Sequence, residues 1–280
     1  MAGNGHTPRA WKGERRRSTS LSQSIAAGPL PCGGPAFSLE EGTATQEFIQ
    51  GLRQALRLIA GADPELARIV LLSLRTSGAA VVLGMLAGVP LGCWLGLRRF
   101  LGRRLAVALL YTGMGFPPVV VGLFVYLLLS RSGPLGALAW PWLPRLFTVE
   151  AMVIAQVIIA TPLIAGFTMA AVMGVDPNLR LQLVSLGATP WQATWAVLRE
   201  ARLGVVVSIV AGFGSVISEV GAVMLVGGNI EGSTRVLTTA IVLETRKGNL
   251  HLALALGLVL LGLSFAINAA VLWLQGRALE

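Results

Sequence analysis

Residues 77–97, 105–130, 151–175 and 252–276 contain no Asp, Glu, Lys or Arg, and residues 203–228 contain only Glu219. Each stretch is at least as long as the roughly 20 residues that a helix needs to cross a bilayer. Such a segment has few options. Lipid offers no water to exposed peptide groups, so the backbone pairs within itself, and an isolated segment does so only as a helix. The runs predict an all-α integral membrane protein with five transmembrane helices, the first extending back toward Ile69. Pro90, Pro117, Pro118 and Pro162 lie inside the runs, where a ring without an N–H should kink the helix.

Composition supports the class. Charged residues make up 12% of the chain and hydrophobic residues 54%, whereas a soluble domain carries about 25% charged residues. The net charge of +9 does not point to nucleic acid, because the arginines sit in short loops between apolar runs, where they set topology and meet lipid head groups. Cys32 and Cys93 fall in a tail and in an apolar run, which suits neither a disulfide framework nor a metal site.

Residues 1–45 are rich in Gly, Pro, Ser and Arg and show no apolar period, so they read as a disordered basic tail. No apolar h-region follows its cluster Glu14, Arg15, Arg16, Arg17, which argues against a cleaved signal peptide. In 46–68, Phe48, Leu52, Leu56 and Ile59 share a helical face beside Arg53 and Arg57. That segment suits an interfacial amphipathic helix, or an ordinary helix packed on the bundle. Residues 69–276 form the membrane domain.

One polar island interrupts the apolar blocks, residues 176–204. Asp176 before Pro177 is a helix start, a side-chain cap followed by a proline whose missing N–H costs nothing. Gly187 supplies the left-handed residue that ends a helix. Thr189 and Pro190 then repeat the start signal and open a second helix to about Arg202. A helix–turn–helix this well capped is expected to dock on a partner. Five crossings put Arg98, Arg99, Arg103, Arg104, Arg180, Arg199, Arg202 and Arg277 on the side of this island, against Arg131, Arg145, Arg235, Arg246 and Lys247 opposite. That excess places the island in the cytoplasm; Arg53, Arg57, Arg68, Arg75 and five tail cations count the other way.

No phosphate loop, H-E-x-x-H helix or zinc spacing is present, and an enzyme has little to stand on. The informative stretch is 212–241. Gly214, Ser218 and Ala222 recur every four residues, the pattern that lets membrane helices approach closely. Glu219 beside them is an ionisable group at membrane depth, which either serves function or locks helices together. Gly227, Gly228 and Asn229 should break the helix, and Ser233, Thr234, Thr238 and Thr239 add hydroxyls. Neutral donors of this kind suit a passing oxyanion, which a cationic clamp would hold too long. The same residues also suit a plain turn between spans.

Together the segments 69–75 (IVLLSLR), 116–122 (FPPVVVG), 185–188 (SLGA) and 218–240 (SEVGAVMLVGGNIEGSTRVLTTA) resemble the permease subunit of type I ABC importers for oxyanions, a group with tungstate and molybdate members. The resemblance spans about 64–273. It implies uptake of tungstate, with molybdate or sulfate as alternatives, through a five-helix permease bundle in the bacterial inner membrane. It makes 176–204 the cytoplasmic coupling loop, with Asp176, Arg180, Leu181, Ser185, Leu186, Gly187, Ala188, Thr189 and Glu200 toward the ATPase. It places Pro117, Pro118, Ser218, Glu219, Gly228, Asn229, Thr234, Thr238 and Thr239 along the translocation path. It also implies a homodimer, a dimer of ATPase subunits that carries ATP and Mg while this chain binds no cofactor or metal, and a periplasmic or lipid-anchored oxyanion-binding protein. The N-terminus would lie outside and the C-terminus in the cytoplasm. Leu181 departs from the family, whose loop carries a glutamate six residues before the glycine, and Arg199-Glu200 replaces a Leu-Pro pair; Arg180 or Glu200 would take over the glutamate contact. Two rivals remain: a secondary transporter driven through Glu219, and a membrane scaffold that tolerates changes at Asn229, Thr238 and Thr239.

Overall fold

The computed structural model describes residues 46, 49–54, 56–57, 61, 64–138 and 143–277. The basic 1–45 tail, Phe48 and Ile59 lie outside them. Among the described residues every regular element is helical: α1 (Pro64–Leu97), α2 (Arg103–Met114), α3 (Pro118–Leu129), a 3-10 turn (Gly136–Leu138), α4 (Val149–Met173), α5 (Pro177–Ser185), α6 (Pro190–Glu200), α7 (Arg202–Ile217), α8 (Gly221–Gly227), α9 (Leu237–Arg246) and α10 (Leu250–Arg277). Among the described residues three stretches are single helices long and apolar enough to cross a membrane, Pro64–Leu97, Val149–Met173 and Leu250–Val271.

Helix α4 is the axis of the bundle and packs against α1, α2, α3, α7 and α8. Its seam with α1 is made by absent side chains. A Cβ at Gly92 would sit 2.4 Å from the Ala165 carbonyl oxygen, and one at Gly88 would sit 2.9 Å from that of Thr161. With Gly84 above them, these residues bring two backbones into contact, which substitutes for the missing hydrophobic drive between helices in lipid. Polar pins add to the seam with α7. The Thr168 and Ser208 hydroxyls pair at 3.0 Å, and the Gln156 amide donates to the Val216 carbonyl at 3.3 Å.

Two of the five expected spans are broken. The run 105–130 is a pair of helices bent by 98°, because Gly113–Gly115 closes α2 on its own carbonyls and Pro118 opens α3 at a position that needs no N–H. The run 203–228 divides at Ser218–Val220, between α7 and α8. There the Ser218 hydroxyl folds back onto the Gly214 and Ser215 carbonyls, competing with the next helical turn. The small-residue face expected through Gly214, Ser218 and Ala222 therefore does not run on one helix. Gly214 faces open space, while Ala222 packs on α3, where a Cβ at Gly122 would come within 2.5 Å of its Cα. Pro90 and Pro162 lie inside α1 and α4 without ending them. Of the segment at 46–68, the helical turn at Gly51 sits against Leu254 of α10, with Leu52 and Leu56 exposed.

Candidate functional sites: an elbow, a broken span and an arginine cavity

The polar island folds as its caps dictate. The Asp176 carboxylate accepts the Asn178 N–H at 2.9 Å and starts α5. Gly187 follows α5 with φ +90, the left-handed region where a side chain is strained. Thr189 and Gln192 then form a reciprocal box, the Thr189 N–H donating to Gln192 Oε1 at 2.8 Å and the Gln192 N–H to Thr189 Oγ1 at 3.3 Å. The second helix ends at Glu200, two residues before the expected Arg202, which opens α7 instead. Between α6 and α7 the chain bends by 68°.

Of the residues expected to face a partner, Leu181 and Leu186 stand 67% and 84% exposed, with Ser185, Gly187, Thr189 and Glu200 also at the surface. Ala188 is half-buried. Arg180 is engaged differently from expectation: its guanidinium turns inward and donates to the Leu97 carbonyl at the end of α1 at 3.3 Å. Arg103 does the same for Leu95 at 2.9 Å. Two cations thus meet the negative end of the longest helix and its free carbonyls, and Arg180 ties α5 to the bundle. A cavity of about 610 Å³ lies inside the crook, lined by Gly174, Asp176, Leu179, Gln182, Glu200 and Gly204 among others.

Around the second break the structure brings Pro117, Pro118, Ser218, Glu219 and Thr238 together. Val119 touches Gly221, a cavity of about 250 Å³ runs from Pro117 and Pro118 to Ser215, and the Thr238 hydroxyl donates to the Glu219 carbonyl at 3.0 Å. Glu219 is 9% exposed and its Oε1 accepts the Ala222 N–H at 2.9 Å. It caps α8. Thr234, Thr238 and Thr239, expected to offer hydroxyls to an anion, are 0%, 5% and 0% exposed and bond to main chain. Thr234 bridges the Gly227 carbonyl and the Ile230 N–H, so it rivets the loop after α8, while Thr239 caps α9 through the Val236 N–H. Ser218 and Gly228 are exposed, Asn229 is half-buried, and the Asn229 Oδ1 is buried with no hydrogen-bond partner.

Sequence reasoning missed a third place. A cavity of about 740 Å³ is lined by Tyr126, Ser130, Arg131, Arg145 and Phe147, with Leu129, Leu143 and Pro144. It lies beyond the N-terminal end of α4, opposite the elbow. Phe147 stands at φ +63, strained for a residue with a Cβ. Its N–H is held by the Val226 carbonyl at 2.8 Å and its ring lies against Gly228. The arginine cavity and the loop after α8 therefore share a wall. The two arginines belonged to the topology count, and nothing in their sequence separation of fourteen positions signals a common cavity. Among the described residues, no group of three His, Cys, Asp or Glu is placed to hold a metal ion.

Comparison with known proteins adds to this geometry. Residues 88–279 match the family described as binding-protein-dependent transport system inner membrane component. A probable anion ABC transporter permease protein of Haloferax volcanii is 45% identical over 73% of this chain and 88% of its own. The tungstate uptake system permease protein TupB of Peptoclostridium acidaminophilum is 40% identical over 82% of this chain and 99% of its own. Among solved structures, a bacterial alginate ABC transporter in complex with an alginate-bound periplasmic protein superposes with a TM-score of 0.65 at 20% identity, over 84% of this chain and 87% of that one.

Proposed function

We propose, for a chain that belongs to the family of binding-protein-dependent transport system inner membrane components, that it is the membrane subunit through which an ATP-driven importer takes up tungstate. The observation that carries the cargo is the 40% identity to a tungstate uptake permease along 99% of that protein's length. The chain forms the path, and ATP is hydrolysed on a separate subunit. In this reading two copies of the chain meet around the path, each with an ATPase subunit that holds ATP and Mg at its elbow. A periplasmic or lipid-anchored protein delivers the oxyanion from the opposite side. The bundle has five crossings, two of them broken, with the N-terminus outside and the C-terminus in the cytoplasm.

The geometry supports a division of labour. Leu181, Ser185, Leu186 and Thr189 present the tip of a stiff, doubly capped elbow, the part that the ATPase would grip. Asp176 caps α5 and Arg180 ties it to the end of α1, so movement of the ATPases is passed to the bundle rather than absorbed in a loop. Arg131 and Arg145 would meet the incoming anion first and raise its local concentration. Past Phe147, the exposed Ser218 and the half-buried Asn229, beside Gly228 and Pro117, offer neutral polar side chains, which bind an oxyanion weakly enough to release it. Glu219, Thr234, Thr238 and Thr239 hold the shape of that stretch.

Uptake of labelled tungstate by cells that carry the chain with its ATPase and binding protein tests the reading. Loss of uptake on deletion of the chain, with excess unlabelled tungstate competing better than molybdate or sulfate, is the expected result. Preferential competition by molybdate would reassign the cargo. Uptake that survives loss of the ATPase but stops when the proton gradient is collapsed would replace the ATP-driven mechanism.

A further inference from the structure

We propose that Gln156 of α4 is a positioning residue for transport: its amide keeps the span 203–228 broken at Ser218, and so aims α8 and the loop after it at the translocation path. That span divides without a proline, and the Ser218 back-bond is not enough to divide it. Ser73 and Thr161 bond in the same way to the carbonyl four residues back, at 2.7 Å each, inside the unbroken α1 and α4. A group from outside the segment has to compete with the next helical turn.

Gln156 supplies that group. In a continuous helix the Val216 carbonyl would accept the Val220 N–H. Here it accepts the Glu219 N–H at 3.2 Å and, from across the seam, the Gln156 amide at 3.3 Å. A side chain of another helix thus takes the place of the Val220 N–H. Val220 then becomes the N-cap of α8, with Glu219 Oε1 on the Ala222 N–H and the Thr238 hydroxyl on the Glu219 carbonyl. The break sets the course of α8, which seats Ala222 on Gly122 and Gly228 on the Phe147 ring. Were the Val216 carbonyl returned to Val220, α7 would run on through Ser218 and α8 would leave both seats.

Stability does not account for this residue. Gln156 is 2% exposed, and its Oε1 is buried with no hydrogen-bond partner among the described residues. An unmatched buried oxygen costs more than a cross-helix hydrogen bond in a membrane bundle contributes. A methionine, unbranched and apolar, would fill the same space without that cost. The glutamine therefore specifies where the span breaks rather than how tightly the bundle holds. The inference rests on the reading of the chain as the membrane subunit of a tungstate importer, and its test separates the two.

The parent, Gln156→Met and Gln156→His are each purified with the ATPase and reconstituted with the binding protein. Gln156→Met is expected to co-purify with the ATPase and to keep or raise the melting temperature, while its maximal rate of tungstate uptake falls severalfold. Hydrogen exchange of the peptide spanning 217–222 should slow in that variant by about five- to tenfold, the shift that one hydrogen bond of ordinary strength produces, because the Val220 N–H recovers its helical acceptor. Gln156→His keeps an N–H donor on a different shape, and should stay close to the parent in uptake and in exchange. Uptake at the parent rate in Gln156→Met, or exchange that does not change, would overturn the proposal. So would a melting temperature that falls together with uptake, which would make Gln156 a packing residue, or a Gln156→His that behaves like Gln156→Met. Melting and exchange are read without transport, so a parent that takes up no tungstate counts against the cargo and leaves the role of Gln156 to be decided by these two.

Discussion

A buried glutamate in a membrane bundle either carries protons or holds helices, and the two roles respond differently when its charge is removed. Glu219 accepts the Ala222 N–H through Oε1, a contact that an amide oxygen reproduces. Glu219→Gln should therefore keep both tungstate uptake and melting temperature close to the parent, whereas Glu219→Ala should lose the cap and about 1 kcal/mol of stability. Uptake abolished in a well-folded Gln variant would point to a proton relay. Glu244 shows the opposite case, a carboxylate outside the spans that works as a charge. The Lys247 ammonium and the Asn249 amide, each 2.8 Å away, hold its carboxyl below the ordinary range. A lowered folded value stabilises above the unfolded value, near 4.3, and the gain disappears as pH falls through the folded one. The melting temperature should thus drop below about pH 5, by less in Glu244→Gln, as scanning fluorimetry across pH would read.

Among the elements, the elbow was legible because its caps are local. Asp176 with Pro177, Gly187, and Thr189 with Pro190 each specify a turn within a few residues, and each stands where those residues require. The spans were legible as apolar runs, and Pro117 and Pro118 marked one break in advance, because a proline acts on its own turn. The break at Ser218–Val220 was not legible, since Ser73 and Thr161 make the same hydroxyl back-bond inside the unbroken α1 and α4. The small-residue seam shows the same limit. Gly84, Gly88 and Gly92 share the four-residue spacing of Gly214, Ser218 and Ala222, and only packing shows that the first set meets a partner helix along its length. Gly92→Leu should drive its side chain into the Ala165 carbonyl and separate α1 from α4, read as loss of folded protein in detergent. Gly187→Leu meets no neighbour within 4 Å, so its cost is conformational, roughly 1–2 kcal/mol for the left-handed region. The prediction is a permease that reaches the membrane with uptake reduced severalfold, checked by transport normalised to protein level; unchanged uptake would count against the elbow as the coupling element.

Across the whole molecule, α4 joins the two ends that matter. Its 25 residues, at about 1.5 Å of rise each, span about 37 Å, with the arginine cavity beyond its start and the elbow beyond its end. A change at one face can therefore leave the other intact, and that separation makes the arginines testable. Arg131 and Arg145 are exposed, so in the proposed role they would attract an oxyanion through a screened field rather than a dry clamp. Their removal should slow capture and spare the later steps. Arg131→Gln with Arg145→Gln is expected to raise the KM for tungstate about tenfold at low salt, with the maximal rate and ATPase co-purification retained. The difference between parent and variant should shrink as ionic strength rises past the point where the Debye length is about 8 Å. A fall in maximal rate at unchanged KM would instead make the cavity part of the moving gate, and an effect insensitive to salt would make it a docking surface for the binding protein.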